Sequence, residues 1–485
     1  MIRQVIVTRS EVFPGLLRAG RAARTKSPAE FKKFLAGVED GLRKLIGDYR
    51  GPLKVLGIPS LDSVIRLTQK PRRDMPPVER LVFSVAIPDL PEDGPDVDGL
   101  NEFRKVVEGT NKRSVDQGKP ELVLGVGADL FLAEAEYFCP ASVDELLFGN
   151  RNSAATLTES GILKQEGLTG RGVNIVVIDR GFDATKVRNF GGGLAIAGVE
   201  PGTTTRGHGL MMIRNIIDAA PDATFYDVPL IPTRITDANV IGFLSSALDA
   251  FNHLKQLIAF LRSLSSPPWD GPWVLVNAWS IFDRSFEMPA GDYTANPAHP
   301  LNAVVGKMVD DAIDLVFAAG NCGQFCPDRR CGKLDIGPGN SIFGANSHPR
   351  VLTTGAVRTD ARWLGGSSQG PGLLAHDKPD LCAPSCFREV GDAFVGNLSG
   401  PFVGNTGSPY IASTGTSAAC GLAAGIVGAI RSEWDQRLLS PDDLREALNH
   451  NARATEGPGW KEHLGNGIID AKATLLALRS GAKYS

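Results

Sequence analysis

The chain has 485 residues, of which 42% are hydrophobic and 22% are charged, a composition typical of folded globular proteins. At roughly 150 residues per domain this length predicts two or three units and excludes a single small module. The net charge of -3 argues against nucleic-acid binding driven by overall charge. No apolar run approaches the ~20 residues of a membrane span, and the arginine-rich N-terminus does not resemble a secretory signal. These features predict a cytoplasmic protein without a membrane span.

The first 150 residues differ in pattern from the rest of the chain. Ser27, Pro28 and Glu30 form a capping box with proline at the first helical position, and apolar residues then recur at helical spacing up to Ile46. Further elements are a strand over 80–88, a helix over 101–117, a strand over 121–124 and a helix near 142–148. We therefore predict a small α+β domain over 1–150, followed by a second domain over 151–485.

Short apolar strands alternate with helices from residue 168 onward. This alternation predicts an α/β fold, in which helices cover both faces of a mainly parallel sheet. Ligands bind such sheets beyond the carboxyl ends of the strands, so the residues that directly follow each strand are the candidate site residues. The predicted strands are 173–178, 274–277, 315–319 and 351–356.

Four polar residues follow strands or begin helices in this region. Asp179 ends the strand in VVIDRGFD, His208 lies between two glycines at a helix start, and Asn321 follows a strand in FAAGN. Ser417 begins a helix made of small and apolar residues. Three of them also have a structural interpretation: Asp179 as a loop-capping carboxylate, His208 as a buried histidine and Ser417 as a helix-capping serine. The order Asp, His, Ser is nevertheless that of one arrangement of the hydrolytic triad, and the Asn321 amide is a suitable donor to an oxyanion.

The segments around these residues resemble the subtilisin-like serine peptidases, the subtilase family, over about residues 168–478. The resemblance rests on LTGRGVNIVVIDRGFD, GHGLMMIRNIIDAAPDATFYDVPLI, FAAGN and GTSAACGLAAG, together with KPDLCAP and LGNGIIDAKATLLAL. It implies a three-layer subtilisin-like fold. It also implies that Asp179 orients the base His208, that Ser417 is the nucleophile and that Asn321 stabilises the oxyanion.

The sequence departs from the family pattern beside Asp179, His208 and Ser417. Arg180 stands where a small hydroxyl residue is usual, His208 is followed by Gly209 and Leu210 rather than the usual Gly-Thr-His, and the usual methionine and proline after Ser417 are missing. The substrate-binding strand reads NAWSI over 277–281. Substrate preference therefore cannot be carried over. We expect a serine endopeptidase acting on proteins or peptides, and keep as the alternative an inactive scaffold that binds extended peptides by strand addition.

The N-terminal domain has no motif match, and two interpretations stay open. A prodomain predicts self-cleavage between Phe138 and Leu168. A domain that recruits a regulatory partner predicts that it stays attached.

Cofactors and cysteines add little to the prediction. No cofactor is required for catalysis; calcium is common in the family, but no acidic loop here has the ligand spacing that would assign it. The seven cysteines are expected to be mostly reduced thiols, with a local disulfide or a metal site among Cys322, Cys326 and Cys331 as alternatives. The glycine clusters 125–127 and 191–193 lack the spacing of phosphate-binding loops and are predicted to be turns.

Overall fold

A computed structural model describes residues 1–47, 49–91, 93–135, 148–205, 207–231, 243–389 and 412–481. Two sheets organise these residues: an antiparallel sheet of four strands in the order β2-β4-β1-β5, and a sheet of eight strands in the order β14-β13-β12-β10-β7-β9-β8-β3. The strands are β1 (Ile2–Arg9), β2 (Lys54–Gly57), β3 (Val64–Leu67), β4 (Arg80–Ile87), β5 (Val123–Ala128), β6 (Ala133–Glu134), β7 (Asn174–Asp179), β8 (Asn189–Ala195), β9 (Thr224–Pro229), β10 (Trp273–Asn277), β11 (Trp279–Ser280), β12 (Asp314–Ala318), β13 (Leu352–Val357), β14 (Leu381–Pro384), β15 (Phe387–Arg388) and β16 (Ala412–Ser413).

Helices cover both sheets. On the small sheet, the helix predicted after Ser27 is confirmed: the Ser27 side chain accepts a hydrogen bond from the backbone N–H of Glu30 (3.2 Å). The helices are α1 (Leu16–Lys26), α2 (Pro28–Ile46), α3 (Val97–Asp116), α4 (Arg151–Thr158), α5 (Gly161–Gln165), α6 (His208–Ile217), α7 (Leu244–Ser263), α8 (Pro300–Asp310), α9 (Gly415–Ile430), α10 (Pro441–His450) and α11 (Ala471–Arg479).

The large sheet has the predicted mainly parallel, three-layer architecture. Every neighbouring pair from β14 to β8 is parallel, and only the edge strand β3 pairs antiparallel, with β8. Alternate residues of β7 pack on opposite faces of the large sheet. Ile175 and Val177 lie in the core with α6 and α9, whereas Val176 and Ile178 lie in the core with α7 and α8. A strand buried on both faces has no polar side, which is why its sequence is a continuous apolar run.

The predicted strands at the centre of this sheet are confirmed to within a residue or two at each end. The strand predicted over 121–124 begins at Val123 and continues to Ala128, and the helix predicted from residue 101 begins at Val97. The helix predicted near 142–148 lies, apart from Phe148, outside the described residues. The boundary at residue 150 stays a prediction, and the structure adds that β3, from the first 150 residues, joins the large sheet. None of the described helices is both long and apolar enough to cross a bilayer.

Both glycine clusters lie inside strands, so the prediction that they form turns is wrong. A Cβ on Gly193 of β8 would lie 1.9 Å from the carbonyl oxygen of Asp227, and one on Gly127 of β5 would lie 2.3 Å from the ring of His299. Glycine is therefore needed at both positions, because another segment of the protein approaches the strand too closely for a side chain.

The same constraint predicts opposite effects of glycine substitution in two helices. Gly425→Ala in α9 should lower the free energy of unfolding by about 1–3 kcal/mol, because its Cβ would lie 2.7 Å from the carbonyl oxygen of Ile216 in α6. The matched change Gly37→Ala in α2, where a Cβ meets no atom within 4 Å, should raise it by about 0.5–1 kcal/mol. Denaturant unfolding measures both, and stabilisation by Gly425→Ala would contradict the helix contact.

Candidate active site

A buried carboxylate–imidazole pair lies at the carboxyl end of the central strand. Asp179 is the last residue of β7, and His208 is the first residue of α6, entered through Gly207 at φ +101°. His208 Nδ1 lies 2.8 Å from each carboxylate oxygen of Asp179. Because an ionised carboxylate only accepts hydrogen bonds, Nδ1 is the donor in a neutral ring and Nε2 is left as the basic nitrogen.

Ser417 is the third residue of α9, whose first turn lies beside the start of α6. The backbone N–H of Thr414 lies 3.3 Å from the sulfur of Met211, which joins the two helix starts. The Ser417 hydroxyl is buried and donates to the carbonyl of Ala278 (3.2 Å). A Ser417–His208 hydrogen bond therefore stays a prediction.

Asn321 is held next to Ser417 in a defined orientation. Its Oδ1 accepts hydrogen bonds from both the backbone N–H and the hydroxyl of Thr416, each at 3.0 Å. The amide nitrogen, Nδ2, donates to the carbonyl oxygen of Ala135. Two donors on one side and an acceptor on the other assign the two ends of the amide, so Nδ2 is directed at a peptide carbonyl.

That carbonyl belongs to a short extended segment of the N-terminal region. Ala133 and Glu134 form β6, which pairs antiparallel with β11, two residues after the end of β10. The N–H of Ala135 then donates to the carbonyl of Ala278 (2.8 Å), the same oxygen that accepts from Ser417. Ala135 is fully buried. Sequence reasoning missed this segment, because no local motif indicates that residues 133–135 pair with residues 278–280.

A second carboxyl group lies on β9, the strand next to the one that carries Asp179. Asp227 on β9 is fully buried and accepts hydrogen bonds from the N–H groups of Gly202 (2.7 Å) and Phe182 (3.3 Å). Burial, with a smaller contribution from the charge of Asp179, raises the pKa of Asp227 to about 7. Asp227 therefore binds the loop after β7 through Phe182 and the loop after β8 through Gly202, while burial disfavours its charged form.

Comparison with known families decides the class of this site. Residues 253–467 match the model of the subtilase family (Peptidase_S8), a stretch of somewhat less than half the chain that contains Asn321 and Ser417. The chain carries a subtilase domain. This match confirms the resemblance of the sequence to the family over residues 253–467, and it supports a subtilisin-like serine peptidase, a hydrolase whose substrates are proteins or peptides. Asp179 and His208 precede the matched stretch, so their roles rest on the contacts described above.

Other comparisons add little to what the subtilase match establishes. No curated protein sequence matches the chain. Similar solved structures include MycP1 from the ESX-1 type VII secretion system (18% identity, 72% of this chain, 90% of that chain, TM-score 0.47). They also include MycP1 from Mycobacterium smegmatis (18%, 72%, 89%, 0.46) and a structure described as the serine protease MycP1, an essential component of the type VII (ESX-1) secretion system (20%, 72%, 94%, 0.48). These values are too low for the likeness to bear on the activity of this chain.

The cysteines beside Asn321 in the subtilase domain are oxidised, so the prediction of mostly reduced thiols is wrong for this loop. Cys322 and Cys331 form a disulfide, and Cys326 is also disulfide-bonded. Sulfurs joined in a disulfide are not available as thiolate ligands, which removes the alternative of a zinc site here. The predicted cytoplasmic location stays a prediction, although a reducing compartment disfavours such a cross-link.

The described free cysteines, Cys382, Cys386 and Cys420, are buried, and burial raises the pKa of each thiol. Protein purified without reductant should therefore react with iodoacetamide at these three residues only after unfolding. Cys322 and Cys331 should react only after unfolding and reduction. Peptide mass mapping measures both, and alkylation of Cys322 in unfolded, unreduced protein would contradict the disulfide.

Proposed function

We propose that the protein is a serine endopeptidase in which Ser417 is the nucleophile, His208 the general base, Asp179 the residue that orients it, and Asn321 a donor to the oxyanion. The observation that carries this proposal is the position of the Ala135 carbonyl. It accepts from Asn321 Nδ2 while the N–H of the same residue pairs with the carbonyl of Ala278, to which Ser417 also donates. A peptide carbonyl is thus held among the groups that would act on it.

The proposed reaction is acyl transfer to water. Ser417 Oγ attacks the carbonyl carbon as its proton passes to His208 Nε2, and Asp179 stabilises the resulting imidazolium. The negative oxygen of the tetrahedral intermediate accepts from Asn321 Nδ2 and from the backbone N–H of Ser417, in the first turn of α9 where helical N–H groups lack intrahelical acceptors. Expulsion of the amine, protonated by His208, leaves an acyl-enzyme, which water hydrolyses by the same steps. Thr416 fixes Asn321 for this role through its two hydrogen bonds to Oδ1.

Labelling with a fluorophosphonate distinguishes this function from the alternative of an inactive, peptide-binding scaffold. A nucleophilic serine activated by a base reacts with the probe, so the wild-type full chain should be labelled and Ser417→Ala should not. The matched control Ser432→Ala, just beyond α9 where the serine hydroxyl contacts backbone groups only, should be labelled like the wild type. Absence of labelling in every variant would favour the scaffold.

For the N-terminal region we propose the first of the two open interpretations, a segment that inhibits the peptidase. The pairing of Ala133 and Glu134 with β11 and the burial of Ala135 support it, because a substrate strand would need the same edge. Among the residues that the structure describes, no comparable contact favours recruitment of a regulatory partner. The carbonyl at Asn321 is that of Ala135, so the proposed cleaved bond is the one after Ala135. This bond precedes the window of Phe138 to Leu168 expected from the sequence.

Self-cleavage after Ala135 is measurable by N-terminal sequencing of the purified protein. We expect a new N-terminus at residue 136 in the wild type and an intact chain in Ser417→Ala, because the same nucleophile would cut its own inhibitory segment. A wild-type chain that stays intact while its Ser417 reacts with the fluorophosphonate would contradict cleavage at this bond and favour an attached domain.

A further inference from the structure

We propose that Arg180 and Arg330 form a subsite that selects an acidic side chain at the second residue on the amino side of the cleaved bond. This inference rests on the proposed function, since it assumes that residues 133–135 lie where a bound substrate would lie. Ala135 then carries the reacting carbonyl, and Glu134 occupies the subsite.

The Glu134 side chain lies between two guanidinium groups and is only 10% exposed. Arg180 forms an ion pair and a hydrogen bond with Oε1 through Nη2. Arg330 Nη1 donates to the backbone carbonyl of Glu134 (3.0 Å) and lies 3.9 Å from Oε1. One arginine thus contacts the carboxylate, and the other contacts the backbone and adds a second positive charge beside it.

Both arginines are held in place by the enzyme's own residues. The backbone N–H of Arg180 donates to the Asp179 carboxylate (2.7 Å), which ties the subsite to the base-orienting residue. The Arg330 guanidinium makes two hydrogen bonds to Asp328, each 2.9 Å, and lies over the Phe282 ring, 4.0 Å from its centroid. The contacts with Asp328 and Phe282 are made by the side chain of Arg330. The side chain of Arg180 instead contacts the Glu134 carboxylate, which stands for the carboxylate of a ligand.

The chemistry favours glutamate or aspartate over other side chains at this position. A charge-assisted hydrogen bond in a shielded site is about twice as strong as a neutral one, so glutamine would bind more weakly. Lysine would bring a third positive charge to a place that water reaches poorly, where repulsion is weakly screened. Arg180 is also the residue by which this chain departs from the subtilase pattern after Asp179, so the preference belongs to this chain rather than to the family.

A charge-swap experiment in the full chain tests the subsite. The rate of fluorophosphonate labelling of Ser417 measures how tightly residues 133–135 bind in the cleft, because the bound segment blocks the probe. We expect Glu134→Lys and Arg180→Glu each to speed labelling by about tenfold, as loss of one charged contact predicts. The double variant, which restores an opposite-charge pair, should be labelled more slowly than either single variant. Glu134→Gln and Arg180→Gln are milder versions in case a charge reversal disturbs folding, and should change the rate in the same direction.

Peptide substrates give a second readout that does not depend on the segment in the chain. The pentapeptide Phe-Leu-Ala-Glu-Ala, with a fluorogenic amide after the last alanine, is compared with versions that carry Gln or Lys in place of Glu. Wild-type kcat/KM should be about tenfold higher for the Glu peptide than for the Lys peptide, and Arg180→Glu should reverse this order. Arg188→Glu is the matched control, because Arg188 pairs with Asp222 on the surface and should leave the ratio unchanged.

The outcomes separate the subsite from the function on which it rests. If all variants are labelled at one rate and the three peptides are cleaved equally well, the subsite is wrong while the serine peptidase function stands. If no variant is labelled and no peptide is cleaved, the proposed function is wrong and the subsite falls with it. A rate restored in the double variant, together with a reversed peptide preference, supports the subsite.

Discussion

The close packing of α6 against α9 is the constraint on which the site depends. His208 begins one helix and Ser417 lies in the first turn of the other, so their separation is set by how closely the two helices approach. The approach is too close for side chains at the contact: Gly421 lies against Asn215 and Gly425 against the backbone of Ile216. The glycines that weaken α9 as an isolated helix are what allow this contact. Sheet strands β7 and β12 then supply Asp179 and Asn321 at the same edge, where parallel strands end.

One backbone carbonyl links the catalytic candidates to the N-terminal region. Ala278 O accepts from Ser417 and from the N–H of Ala135, so the candidate nucleophile and the extended segment 133–135 share an acceptor. The segment uses the pairing edge of β11 that an extended peptide would need. The N-terminal region is therefore connected to the peptidase at the point where proteolysis would occur, which supports the proposal that this region restrains the activity.

The loop after Asn321 and the residue after Asp179 supply the two arginines of the proposed subsite. The disulfide between Cys322 and Cys331 closes the loop that carries Arg330, and Arg180 extends directly from the base-orienting residue. Both arginines meet at Glu134. Arg180, a departure from the family pattern in the sequence, is thus part of one cluster with Arg330 and Glu134, which lies beside the peptide carbonyl at Asn321.

Local sequence determined the elements and the candidate residues. Apolar runs predicted the central strands, and Ser27 and Pro28 predicted the start of α2. Polar residues at strand ends marked Asp179 and Asn321, and polar residues at helix starts marked His208 and Ser417. All of these signals are encoded within a few positions of the sequence. Tertiary structure alone decided that residues 133–135 pair with 278–280, that Cys322 bonds to Cys331, and that the clusters around Gly127 and Gly193 lie in strands. Each of these depends on which distant backbone or side chain comes within a few ångströms, and no pattern of neighbouring residues carries that information.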